Sequence, residues 1–192
     1  KAFLSTLSYQ FFIFRLVDMF VRGSVGEIFA FAFFPLVLYG ICLSMKKNYL
    51  KSFIAVAIGV AFLILSHLAM GAVFILIAIC FMFLFVLGKI KKIILSFFMI
   101  VGMGISAYYW MPALIEHKYT YGSLFAKNLY LSHFVPLTNL FSINLLNDPG
   151  LRIGDVPVQI GLFHVFVIIA VIVLLIKGKI STLNDKKLIL FC

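Results

Sequence analysis

The chain has 192 residues, 65% of them hydrophobic and 17% aromatic, against 11% charged. A soluble domain carries about a quarter charged residues, so this composition excludes a water-soluble fold and calls for a bilayer as solvent. The formal net charge of +10 is gathered into short clusters between long apolar runs, a pattern of membrane topology and not of a nucleic-acid-binding stripe.

Ala2 to Phe14 is apolar but too short to cross a bilayer, and reads as an amphipathic helix lying on the outer surface. Arg15 and Asp18, three apart, are placed to pair on one helix face. The first span is 24–45, with Pro35 expected to kink it; Lys46, Lys47 and Lys51 follow. Next, Ser52 to Gly88 holds 37 residues without Asp, Glu, Lys or Arg. As one helix it would run about 55 Å, too long for a single crossing. Basic clusters flank it on both sides, and like clusters belong on one membrane face, so the run must cross an even number of times. It is expected to form a helical hairpin, spans 52–68 and 71–88, turning near Ser66 to Gly71.

The fourth span is 93–115. An outer loop, 116–157, carries Tyr119, Tyr121, Phe125, Tyr130, Phe134 and Phe141, which suit the headgroup zone. Ser123 to Phe134 is expected as an interfacial helix, and Asn147-Asp148-Pro149-Gly150 is a turn signal. The fifth span is 158–176. A sixth, 188–192, is cut short. The first residue is Lys1 and the last lies inside an apolar run, so both ends read as truncated. The expected fold is all-α, a polytopic transmembrane helical bundle of about five full spans plus the start of a sixth, in one domain fragment over 1–192.

Charge assigns the sides. The loops 46–51, 89–92 and 177–187 hold ten of the sixteen Lys and Arg residues and one acid, Asp185. The opposite segments hold the other six with five acids. The lysine-rich loops are therefore expected on the cytoplasmic side, in an integral protein of the plasma membrane.

Chemistry-bearing residues concentrate on the other side: Arg22 and Glu27 entering the first span, His67 in the hairpin turn, and Trp110 to Glu116 leaving the fourth. Each has two readings. Ser24-Val25-Gly26-Glu27 matches a capping box at a helix start, with Arg22 as an interfacial anchor; alternatively, Arg22 binds a phosphate and Glu27 orients it or a sugar hydroxyl. His67 is a satisfied turn histidine, or else a proton carrier or phosphate donor. Tyr108-Tyr109-Trp110-Met111-Pro112 is an aromatic belt where Pro112 bends or ends the helix, with Glu116 in water, or it is part of a site. Gly102 and Ser106, like Ala55 and Gly59, are small residues four apart that let helices approach closely. Cys42, Cys80 and Cys192 lie in apolar runs and read as small buried hydrophobes. The histidines have no metal-type spacing, so no metal site is expected.

Three elements, in order, carry a family resemblance: Arg22-Gly23-Ser24-Val25-Gly26-Glu27 followed by an apolar helix with Pro35-Leu36; Leu65-Ser66-His67; and Gly104 through Tyr108-Tyr109-Trp110-Met111-Pro112-Ala113-Leu114-Ile115-Glu116. They resemble the large bacterial and archaeal membrane proteins termed 6-pyruvoyl-tetrahydropterin synthase-related, over roughly residues 9 to 165. That family is similar in turn to GT-C glycosyltransferases, which use polyprenyl-phosphate sugars on the outer face. Nothing in the chain has the soluble, zinc-binding character of the pterin enzyme itself. The resemblance implies a prokaryotic plasma membrane location. It also implies a polyprenyl-phosphate sugar donor as partner beside the bilayer. No cofactor is evident, and a divalent metal is implied by resemblance only. In GT-C enzymes the catalytic acid lies in an early outer loop, so no catalytic base is assigned here. Arg22, Glu27, His67, Trp110 and Glu116 are carried as substrate contacts.

The expected function is thus the central part of a GT-C-like membrane glycosyltransferase. A transporter or lipid flippase is the alternative from another class, and would be expected to line a path with polar residues across the membrane. A non-catalytic membrane scaffold, in which Arg22, Glu27 and His67 only cap and anchor helices, is the third reading.

Overall fold

The computed structural model describes residues 6–7, 9–119, 164–166, 169 and 173. The chain divides into two compact units, residues 1–25 with 133–192, and residues 26–132. Among the described residues every regular element is helical.

In the first unit, α1 (Ile13–Val17) runs directly into a π-helical turn, Asp18–Arg22. The turn ends at Gly23, whose φ of 61° is left-handed and favours glycine. The Asp18 carbonyl takes the N–H groups of both Gly23 and Ser24. Asp18 is fully buried, and its Oδ1 receives Arg22 Nη1 at 2.7 Å. The expected Arg15–Asp18 pair is therefore replaced by an i,i+4 pair with Arg22. Arg15 instead lies over the Tyr9 ring, 5.5 Å from its centroid. Burial pushes the Tyr9 phenol up to about 12, against the opposing pull of the Arg15 charge.

The second unit is built from α2 (Val25–Met45), α3 (Tyr49–Ser66), α4 (Leu68–Phe85), α5 (Lys89–Ile105) and α6 (Ala107–Ile115), ending in a 3₁₀ turn, Glu116–Tyr119. Three of these, α2, α3 and α4, are long and apolar enough to cross a membrane, and a fourth crossing follows if α5 and α6 count as one bent span. The expected spans 158–176 and 188–192, and most of the outer loop 116–157, lie outside the described residues apart from isolated helical positions. The hairpin arms start three residues earlier than the hydropathy suggested. At 18 residues each they are about 27 Å long, close to the roughly 30 Å of hydrocarbon. The arm α3 starts ahead of Ser52 because Lys51 is tolerated in its first turn, where its ammonium can reach the interface.

Contacts give the order of the helices. A Cβ on Gly40 would lie 2.6 Å from Val56, one on Gly59 2.7 Å from Val37, and one on Gly26 2.5 Å from the Ser66 carbonyl oxygen. The partner number falls as the glycine number rises, so α2 and α3 are antiparallel. Gly102 approaches Ala57 and Val60, and Phe53 meets Phe98 at 5.1 Å, so α3 and α5 run the same way. Between α2 and α4, Phe74 packs on both Phe31 and Phe34. The small-residue positions Gly59 and Gly102 are thus where backbones touch, as van der Waals packing in lipid demands. A buried Ser52 hydroxyl donates to the Gly40 carbonyl at 2.8 Å and ties α3 to α2. Cys42 is buried with this seam, whereas Cys80 faces outward, which departs from the buried hydrophobe expected there.

Both basic clusters meet at one end. Lys91 Nζ reaches the Met45 carbonyl at 3.5 Å, and Lys92 Nζ reaches that of Phe83 at 3.1 Å. The run from Ser52 to Gly88 therefore leaves that end and returns to it, turning at a single residue, His67.

The expected span 93–115 is not continuous. It breaks at Ser106 by 72°. Ser106 is buried, and its hydroxyl bonds back to the carbonyls of Gly102 at 3.2 Å and Met103 at 3.1 Å. The Trp110 indole N–H also donates to Met103, at 2.9 Å. The Gly102 carbonyl keeps its helical bond from the Ser106 N–H, but the Met103 carbonyl takes two side-chain donors where a continuing helix would use it, a recognised cause of sharp bends. Pro112, expected to make the bend, sits inside α6 instead. Pro35 likewise lies inside an uninterrupted α2.

Candidate functional site

The end of the second unit opposite its lysines is shaped by close backbone approach. Gly26 lets the first turn of α2 press onto the corner between α3 and α4, since any larger residue would collide with the Ser66 carbonyl. That contact carries the next residue, Glu27, to the corner histidine. Glu27 Oε1 lies 4.0 Å from His67 Nε2. This is ion-pair range but longer than a hydrogen bond. The Glu27 side chain is 8% exposed and that of His67 38%, so the carboxylate is sheltered and the imidazole forms the open side of the pair.

The ring is held by the fold. His67 has extended backbone angles, φ −160° and ψ 112°, between the two helices. It is the N-cap of α4, and its Nδ1 accepts the Met70 N–H at 3.2 Å. An accepting Nδ1 carries no hydrogen, so the ring's hydrogen sits on Nε2, the atom facing Glu27. The turn histidine is therefore satisfied on one nitrogen while presenting a donor to an acid with the other.

The remaining candidates are placed differently. Arg22 belongs to the first unit and is engaged with Asp18. The Ser24 N–H, which a capping box would offer to Glu27, donates to the Asp18 carbonyl at 3.0 Å. Trp110 has its indole N–H committed to Met103, leaving the ring faces for contact. Glu116 is exposed at the end of α6, where it opens the 3₁₀ turn. Of the sequence candidates, the second unit brings together Glu27 and His67. One residue essential to this arrangement was missed: Gly26, whose signal was only its place before Glu27. Among the described residues no group of three His, Cys, Asp or Glu residues is placed to hold a metal ion.

A sheltered carboxylate beside an imidazole N–H can accept and donate hydrogen bonds to one hydroxyl-bearing ligand. Comparison with curated proteins and with solved structures finds no match. The family comparison matches residues 2–191 to the 6-pyruvoyl-tetrahydropterin synthase related domain, a membrane protein family. With apolar helices of spanning length and a match over nearly its whole extent, the chain belongs to the 6-pyruvoyl-tetrahydropterin synthase related family of membrane proteins.

Proposed function

We propose that the chain is part of a GT-C-like integral membrane glycosyltransferase that uses a lipid-phosphate-linked sugar on the extracytoplasmic face. The observation that carries this reading is the Glu27–His67 pair, 4.0 Å apart, at the bundle end opposite the lysines. There, Glu27 accepts a hydrogen bond from a sugar hydroxyl and the His67 Nε2–H donates one. By the family resemblance, Arg22 is the candidate for the phosphate, and Trp110 and Glu116 are candidates for the sugar. A cation near a departing phosphate lowers the barrier by stabilising the charge that develops on it. The lysine-rich loops 46–51 and 89–92 face the cytoplasm by the positive-inside rule.

A transporter or flippase is the second reading. The 72° break at Ser106 favours it, because discontinuous helices line substrate paths in many transporters.

The test uses the full-length protein in proteoliposomes, supplied with polyprenyl-phosphate-linked hexoses and a hydroxyl-bearing acceptor to which the hexose is transferred. Release of polyprenyl phosphate is expected, and Glu27→Gln is expected to abolish it with normal membrane insertion. Full activity in that variant would discard Glu27 as a functional residue. Movement of the intact lipid between leaflets without cleavage would favour the flippase.

A further inference from the structure

The basic end of the second unit carries a feature that the Glu27–His67 end does not explain. Gly40 and Gly59 bring α2 and α3 into backbone contact, and the larger residues beside them leave a groove of about 200 Å³ along the outside of the seam. Leu36, Tyr39 and Leu43 form its α2 wall; Lys51, Ile54 and Ile58 form its α3 wall. Tyr39, Ile54 and Ile58 are exposed. From Leu36 to Leu43 the groove follows seven residues of helix, about 10 Å, and it is apolar until it reaches Lys51.

The charge at that end is uncompensated. Among the described residues Lys46, Lys47 and Lys51 make no hydrogen bond or ion pair, whereas Lys91 and Lys92 each bond a carbonyl. The acids described in this unit, Glu27 and Glu116, are the first-turn residue of α2 and the residue after α6, away from the basic end. The N-cap of α3, Asn48, places no side-chain bond on the first turn, and that turn holds no acid. Its positive dipole end therefore adds to the three ammonium groups.

We propose that this groove binds one anionic phospholipid from the surrounding bilayer, with an acyl chain between α2 and α3 and the phosphate against Lys51, Lys46 and Lys47. Charge complementarity selects the occupant. A zwitterionic lipid would bring its own cation to a site that already has three, and an apolar helix from another chain would leave them unneutralised. The site is independent of any sugar transfer at the other end.

Native mass spectrometry tests this on the chain extracted from mixed phosphatidylcholine–phosphatidylglycerol vesicles. One phosphatidylglycerol is expected to be retained in preference to phosphatidylcholine. Lys51→Gln and Lys47→Gln are each expected to weaken retention about fivefold, the effect of one basic residue at an anionic surface. Lys51→Arg should keep it. Ile54→Trp, at an exposed position, should fill the groove and expel the lipid with every lysine in place. Equal retention of the two lipids, undiminished retention in Lys51→Gln or Ile54→Trp, or a protein dimer in place of bound lipid would each overturn the assignment.

Discussion

His67 and Glu27 are held 4.0 Å apart by a ring whose other nitrogen is already used, its Nδ1 receiving the Met70 N–H that starts α4. One side chain thus caps a helix and faces a buried acid. Substitutions can separate the two tasks. Asparagine is a good N-cap but is too short to face Glu27 as the imidazole does. Thermal unfolding in nanodiscs should show His67→Asn near wild type and His67→Ala less stable by about 1 kcal/mol, while both lose any activity that needs the pair. Equal stability of His67→Ala and wild type would mean the cap contributes nothing.

The two glycines near the end of α5 should behave in opposite ways. A Cβ on Gly102 would lie 2.6 Å from the Ala57 carbonyl oxygen, which is backbone and cannot swing aside, whereas Gly104 has nothing within 4 Å. Gly102→Ala must therefore push α5 off α3, at a cost of about 1–3 kcal/mol. Gly104→Ala should be neutral or stabilise by up to about 1 kcal/mol through helix propensity. Unfolding midpoints for the two variants decide it, and similar values would contradict the packing described.

Much of this architecture was legible in the sequence, because lipid imposes simple rules. Span-length apolar runs gave α2, α3 and α4, and matching lysine clusters required the run from Ser52 to Gly88 to return, as the Lys91–Met45 bond shows it does. Small residues four apart found the α3 contacts of Gly59 and Gly102. Less visible were features set by competition for backbone groups. The Ser24 N–H, which a capping box would give to Glu27, goes to Asp18 because the π turn brings that carbonyl within reach. Hydropathy is blind to Ser106 taking back carbonyls of its own helix, so the break was placed at Pro112. The pairing of Glu27 with His67, 40 residues apart, depends on Gly26 fitting beneath Ser66, which no local pattern encodes.

The bend itself can be measured. Ile93 and Leu114 are exposed and suit spin labels. A straight helix would separate them by about 32 Å, and two arms of about 20 and 12 Å bent by 72° would separate them by about 26 Å. Pulsed electron resonance should give the shorter distance in the wild type. Ser106→Ala with Trp110→Phe removes both side-chain bonds to the Met103 carbonyl, and should lengthen it. A wild-type distance near the straight value would rule the break out.

Tyr9 gives a pH signature of the first unit. Burial pushes its phenol up to about 12 from an ordinary 10.0. The folded chain therefore keeps a proton that the unfolded chain gives up above about pH 10. Its contribution to stability is complete below that pH and is lost as pH rises towards 12. Tyr9→Phe should flatten the fall in stability over that interval and remove a tyrosinate that appears near pH 12 in an ultraviolet titration. An unchanged titration would show that burial does not raise the Tyr9 phenol.

The direction of the bundle in the membrane is testable apart from any chemistry. Asn48 adjoins the lysines that gather at the Met45–Lys91 end, while His67 marks the opposite end by its place beside Glu27. If positive charge sets orientation, the first end faces the cytoplasm. In a background with Cys42, Cys80 and Cys192 replaced, Asn48→Cys should resist a membrane-impermeant maleimide in intact cells and react after the membrane is opened. His67→Cys, on a side chain 38% exposed, should react in intact cells. The reverse pattern would invert the orientation and place the Glu27–His67 pair in the cytoplasm, where a sugar donor confined to the outer leaflet has no access. Labelling of both positions from one side would contradict the return of the chain at His67.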